Sequence, residues 1–400
     1  MTCFGFTHLY RLEKIILLCA AGYFFSGFHT VAAQSRVITG ADRMEAFLPL
    51  LKNKKVAVLV NQTSRINGVL LPDTLLHRGV AVTAIFAPEH GFRGDADAGA
   101  QVENSRDAQT GLPVYSLYGA RKKPTSEQLS HIDVVVYDIQ DVGVRFYTYI
   151  STLQYLMEAC GENHKPLIIL DRPDPLGFIV DGPVLDTAFR SFVGMQPIPV
   201  IYGMTPGEYA GMLSGEKWLN APAPEVTVIP CKNYTHAVHY DLPVPPSPNL
   251  KNMAAVYLYP SLCLLEGTVI SVGRGTDAPF QQYGHPDLQD QPDGFTPQSM
   301  NGAVNPPLKG LYCHGRKIAD DSRTALEAAD TSFSLKWLLD AWCHFPDKNA
   351  FFNNFFNTLA GNNTLQEQIR NGLPEQAIRD SWQPQLVKFK QIRARYLLYQ

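Results

Sequence analysis

Four short apolar runs dominate the first half of the chain: Lys55-Val-Ala-Val-Leu-Val60, Val80-Ala-Val-Thr-Ala-Ile-Phe86, Ile132-Asp-Val-Val-Val-Tyr-Asp138 and Pro166-Leu-Ile-Ile-Leu170. Amphipathic stretches lie between them, at Pro72 to His77, Thr125 to His131 and Phe146 to Cys160. Apolar strands alternating with helices belong to a mostly parallel sheet covered on both faces, so the expected class is α/β. Three of the runs finish in acidic and arginine residues. The carboxyl ends of parallel strands are where such sheets place ligands, and the pattern predicts one polar site assembled from several loops.

The richest of these ends is Pro88-Glu-His-Gly-Phe-Arg-Gly94. Glu89 sits between Phe86 and Phe92, and a carboxyl group partly withdrawn from water holds its proton as a general acid must. His90 is a candidate base or ligand and Arg93 a candidate substrate contact, with an Arg93–Glu89 salt bridge as the competing structural reading. After the third run come Asp138, Gln140, Asp141, Arg145, Tyr147 and Tyr149. Strand alternation puts Asp138 and Gln140 on one face and Asp141 on the other, so only a bend brings both acids into one site. Asp171 and Arg172 follow the fourth run, either as substrate contacts or as an internal pair. Arg274 lies between Gly273 and Gly275, where the backbone has room to approach a ligand.

The 400 residues suffice for two domains after a leader. Arg11 and Lys14 precede an apolar stretch, and Val31-Ala-Ala33 supplies small residues before Gln34, as in a cleaved secretory signal over residues 1–33. Export to the periplasm is expected. A lipid anchor at Cys19 is the competing reading, set back by bulky Leu18, and no later segment reads as a stable membrane span. A catalytic domain is expected over 42–241 and an α+β domain contributing to the cleft over 249–400, with Leu242-Pro-Val-Pro-Pro-Ser-Pro248 as a stiff boundary. Net charge of −3 without a dense Lys/Arg tract argues against nucleic acid as a partner. Five widely spaced cysteines outside the leader, with no C-x-x-C pair, suit neither a zinc site nor a disulfide framework. The Gly273-x-Gly275-x-x-Ala278 run is broken by Pro279, and Ser214-Gly-Glu-Lys217 lacks the K-T-G that penicillin-binding enzymes carry.

With these residues assembled, the chain resembles the exo-β-N-acetylmuramidases of the NamZ/YbbC-like family. The resemblance is carried by Asn61-Gln-Thr-Ser64, the Pro88–Gly94 segment, Asp138 to Tyr149, Leu170-Asp-Arg-Pro173, Gly203-Met-Thr205, Pro245-Pro-Ser-Pro-Asn249, Glu266-Gly-Thr268 and Gly273-Arg-Gly-Thr276 with Pro279-Phe280. It implies a Rossmann-like sheet with helices on both faces, followed by a smaller α+β domain. It also implies removal of N-acetylmuramic acid (MurNAc) from non-reducing ends of peptidoglycan, with no metal or organic cofactor. Asn61, Tyr202 and Thr276 join the candidate substrate contacts. The family pattern has Asn where this chain has Asp174, and often His in place of Tyr202.

Glu89 is then the expected proton donor, with Asp141 or Asp138 as the second group and Arg145, Arg172 or Arg274 on the lactyl carboxylate. Enzyme nucleophile, activated water and assistance by the substrate's acetamido group all stay open. Two rivals remain: a non-catalytic peptidoglycan-binding protein of the envelope, and a phosphatase holding magnesium on Asp138, Asp141 and Asp171.

Overall fold

The computed structural model describes residues 36–92 and 104–400, of which 37–400 form one compact unit. The leader, Arg93 and Gly94 lie outside the described residues.

Six parallel strands build the main sheet, in the spatial order Pro113–Ser116, Ala81–Ala87, Lys55–Val60, Val134–Asp138, Leu167–Leu170, Val226–Ile229. Numbered along the chain this is 3-2-1-4-5-6, the doubly wound arrangement, whose crevice opens where the order reverses. The reversal falls between Lys55–Val60 and Val134–Asp138, with Val60 paired to Asp138. Ser105–Arg106 adds a short antiparallel edge.

The apolar runs bury both faces because their side chains alternate. Ala57, Leu59, Phe86, Val135, Tyr137 and Ile169 point to one core, where helix Tyr149–Glu162 packs. Val56, Val58, Val60, Ile85, Val136 and Ile168 point to the other, under helices Met44–Leu51 and Leu71–His77. Helix Pro206–Gly215 starts where its residues direct: Thr205 and Glu208 form a capping box, with Pro206 in the first turn.

Pro199-Val-Ile-Tyr202 reads as a further strand from its residue types, but it does not join the sheet. Ile201 makes isolated bridges to Val144 and Asp181 instead, and prolines at 197 and 199 deny that segment two ladder donors. In the second half, helix Met253–Leu262 runs into the 3₁₀ turn Cys263–Gly267. The apolar segment Thr268–Val272 reads as a strand from its residue types but makes only single bridges, at Thr268 and Ser271. A three-stranded antiparallel sheet, Gln282–His285, Cys313–Lys317 and Asp293–Phe295, takes its place, with Cys313–Lys317 in the centre. Helix Glu375–Arg393 ends in Lys390 and Arg393, which suit the negative end of the helix dipole. One of the two cores extends from the sheet through Tyr259 and Phe280 to Trp337, Phe351 and Phe389, so both halves of the chain contribute to it. Cys160, Cys231, Cys263 and Cys313 are buried thiols, and Cys343 is exposed. Among the described residues no helix is long and apolar enough to cross a membrane.

Candidate active site

Beyond the carboxyl ends of the first strands lies an open cleft of about 200 Å³. Its polar wall carries Glu89, His90, Tyr118, Thr148, Ser247 and Asn249, with Glu266 and Arg274 contributed by the second half of the chain. Tyr147, Tyr149, Phe192 and Tyr259 supply ring faces.

Glu89 is half-buried immediately after strand Ala81–Ala87, and its Oε2 accepts a hydrogen bond from Thr148 Oγ1 at 2.8 Å. Thr148 precedes the first turn of helix Tyr149–Glu162, an end that favours a carboxylate. Tyr118 bonds the same carboxyl group; burial and then the charge of Glu89 push its phenol pKa up, so Tyr118 is the donor. His90 reaches the cleft wall in a left-handed backbone conformation, φ 68°, and is buried. The hydroxyls of Tyr147 and Tyr149 both donate to the Pro246 carbonyl, at 2.8 and 3.3 Å, so the proline-rich segment is pinned against the cleft.

The aspartates expected as partners of Glu89 are elsewhere. Asp138 is fully buried at its strand end and grips Arg172 with two bonds, 2.5 and 2.9 Å. Burial raises the Asp138 carboxyl pKa and Arg172 opposes that rise. Asp141 is buried beneath the cleft, accepting from the Tyr202 hydroxyl and, at 2.7 Å, from the Gly143 amide. Gly143 must be glycine, since φ is 73° and a Cβ would stand 2.2 Å from Asp174 Oδ1. Asp171 ties down helix Pro206–Gly215 and the chain end, accepting from Thr205 Oγ1, Gly207 N and Tyr399 at 2.6–2.8 Å. Asp141 lies beyond the strand end at Asp138, and the two acids engage different partners. Among the described residues no group of acids, histidines and cysteines is placed to hold a metal ion, so Asp138, Asp141 and Asp171 do not assemble the magnesium site of the phosphatase reading.

Two of the three arginines expected on a substrate carboxylate are also committed. Arg145 is fully buried and donates to the carbonyls of Pro183, Ile198, Leu359 and Ala360 at 2.8–3.0 Å. Burial lowers its pKa to about 9. Arg172 belongs to Asp138. Arg274 alone of the three lines the cleft. Gln140 spends its amide nitrogen on the Asp141 and Pro173 carbonyls, and buried Asn61 uses its oxygen to cap Thr63. Tyr202 faces Asp141, and Thr276 closes a turn on the Gly273 carbonyl at 2.6 Å. Side-chain commitments of this kind are invisible in a linear reading.

The structure also adds residues that the motifs did not single out as chemistry. Tyr118 follows the strand beside Ala81–Ala87, and position alone at a strand end is its signal. Glu266 stood in the matched Glu266-Gly-Thr268 segment, 8 residues before Arg274, where i to i+8 spacing across a loop gives no periodic cue.

Buried Asp141 makes stability depend on pH. Desolvation lifts its pKa to about 7 from 3.8, against the hydrogen bonds of Tyr202 and Gly143. The fold therefore favours the protonated form: the associated stability is full below about pH 4 and is lost as pH rises through 7. Three units correspond to roughly 4 kcal/mol by linkage. Asp171, raised to about 6, acts with the same sign. Asp141→Asn is expected to flatten the fall in unfolding free energy between pH 4.5 and 8, measured by urea titration. An unchanged slope would refute the assignment.

Taken together, fold and cleft define an α/β protein with its ligand site beyond the carboxyl ends of a Rossmann-ordered sheet, completed by the second half of the chain. The models for the N-terminal and C-terminal parts of the exo-beta-N-acetylmuramidase NamZ match residues 56–254 and 257–399. This chain belongs to that family. It is 37% identical over 389 residues to the peptidoglycan beta-N-acetylmuramidase NamZ of Bacillus subtilis (strain 168), covering 92% of each chain. Two crystal structures of DUF1343 family proteins from Bacteroides fragilis NCTC 9343 are also similar. One is 45% identical with a TM-score of 0.85, spanning 92% of this chain and 99% of its own. The other is 29% identical with a TM-score of 0.76, spanning 91% and 99%.

Proposed function

We propose that this chain is an exo-acting glycoside hydrolase that releases MurNAc from the non-reducing ends of peptidoglycan fragments. The observation that carries the reading is the match to a named peptidoglycan beta-N-acetylmuramidase over 92% of the chain, together with Glu89 in the cleft. Glu89 donates its proton to the leaving glycosidic oxygen, as glycoside hydrolysis requires of one carboxyl group. Thr148 and Tyr118 hold that carboxyl in place. Arg274 takes the lactyl carboxylate, and the ring faces of Tyr147 and Phe192 border the sugar. His90 shares the wall with Glu89 and is the candidate to orient it or a water molecule. Export through the N-terminal leader, with cleavage before Gln34, would bring the protein to its substrate in the periplasm; N-terminal sequencing of the mature protein tests that step.

The decisive experiment is incubation with the disaccharide MurNAc–GlcNAc and mass spectrometry of the products. Free MurNAc and GlcNAc are expected. Intact disaccharide that nevertheless binds in calorimetry would replace the hydrolase by the non-catalytic wall-binding reading.

A further inference from the structure

Glu266 is the second carboxyl group of the cleft. It lies in the turn Cys263–Gly267, whose backbone is anchored by Asn353 Nδ2 on the Glu266 carbonyl. Arg274 reaches it with Nε on Oε1 at 2.5 Å and Nη2 on Oε2 at 3.2 Å. Both side chains keep a fraction of their surface open, 24% for Glu266 and 19% for Arg274. The guanidinium rests over the Phe280 ring, 4.9 Å from its centre, which fixes its plane.

A guanidinium has five N–H donors in a rigid fork, and the grip on Glu266 uses two of them. The edge formed by Nη1 and the second Nη2 hydrogen remains to meet a carboxylate with two parallel bonds. A carboxylate has about four lone-pair sites, so Glu266 keeps acceptor capacity beside Arg274. The ion pair therefore presents a donor edge next to an acceptor. MurNAc presents the complement. Its 3-O-lactyl carboxylate and the N–H of its 2-acetamido group stand on adjacent ring carbons.

Building on the muramidase reading, we propose that Glu266 and Arg274 read these two substituents as one unit. Arg274 binds the lactyl carboxylate, and Glu266 accepts the acetamido N–H. An acetamido group held by its N–H turns its carbonyl oxygen toward the anomeric carbon. That oxygen forms a bond to C1 as the glycosidic bond breaks, and the Glu89 proton passes to the leaving oxygen. The resulting oxazolinium cation lies against the Glu266 carboxylate. Water then attacks C1 and reopens the ring, its proton returning to Glu89, so MurNAc leaves with its original configuration. Arg274 and the Cys263 thiol, 3.5 Å from Oε2, hold Glu266 as an acceptor and counter-charge, and the acetamido oxygen is the nucleophile of the proposed step.

The test uses p-nitrophenyl β-glycosides of MurNAc and GlcNAc, whose leaving group needs little protonation. Glu266→Gln is expected to lower kcat on both by about 10²-fold or more, the size of a directly acting group. Arg274→Gln is expected to raise KM for the MurNAc glycoside by about tenfold or more, a lost charge-assisted bond, and to draw the MurNAc/GlcNAc ratio of kcat/KM toward one. In the unmodified protein, proton NMR should show the β-anomer of MurNAc first, and replacing the acetyl by trifluoroacetyl should slow turnover. Variants within a few-fold of the parent in kcat and preference would reduce the pair to a loop clip. An α-anomer formed first, or indifference to fluorination, would overturn the acetamido step without any variant. Loss of activity on the disaccharide itself would sink the muramidase reading, a different failure. Melting curves of both variants establish that each is folded.

Discussion

Glu89→Gln is expected to lower kcat on MurNAc–GlcNAc by ~10²–10⁴, the usual contribution of a general acid, with KM moving little. The substitution keeps the shape of the side chain and an oxygen for Thr148 Oγ1 to bond, so the wall of the cleft stands. It removes the transferable proton. A sugar alkoxide is a poor leaving group without protonation, so the loss on the disaccharide falls chiefly on the bond-breaking step. With p-nitrophenyl MurNAc the same variant should recover most of its rate in that step, because the phenolate departs unassisted. The comparison of the two substrates is the measurement. Equal losses in the bond-breaking step on both would mean that Glu89 supports binding or folding, and near-normal turnover on the disaccharide would remove it from the reaction.

The doubly wound sheet was legible because apolar runs of four to seven residues, separated by helical patterns, have few other solutions. Its caps were legible for a local reason: Thr205-Pro-Gly-Glu208 satisfies its own backbone donors. Pro199–Tyr202 misled because its residue types are those of a strand while Pro199, like Pro197 just before it, has no N–H to join a ladder. The second half of the chain was less readable. Its short strands pair antiparallel across loops of very different length, and neither length nor period announces which segments meet.

The site was legible in part for a related reason. Glu89 and His90 follow from the loop at a strand end and Arg274 from its flanking glycines, and with Tyr147 they share the cleft. A linear reading cannot tell an acid that faces solvent from one already spent on a neighbour. Asp138, Asp141 and Asp171 carry the composition of a site, yet each is bound to fixed donors within the fold. Glu266 escaped attention because its partnership with Arg274 forms only when the turn Cys263–Gly267 and the loop at Gly273 close on each other.

Arg172→Met is expected to cost about 3–5 kcal/mol of stability near neutral pH, because it leaves the Asp138 charge buried without its partner. Asp138 has no exposed surface and Arg172 only 4%, so water cannot replace the lost bonds. The sign of the pH dependence follows from the direction of the Asp138 shift. Burial already raises that carboxyl, and removing Arg172 takes away the group that opposes the rise. The variant's Asp138 therefore holds its proton to higher pH, and the destabilisation should be smallest near pH 4.5 and grow toward pH 8 in urea titrations. Adding Asp138→Leu to Arg172→Met should restore most of the loss, since a buried pair replaced by apolar groups of similar volume is often neutral. If the pair is structural, the refolded double variant keeps the parent's KM for MurNAc–GlcNAc. A KM raised by about tenfold or more in a folded double variant would return Arg172 to the substrate and overturn this placement.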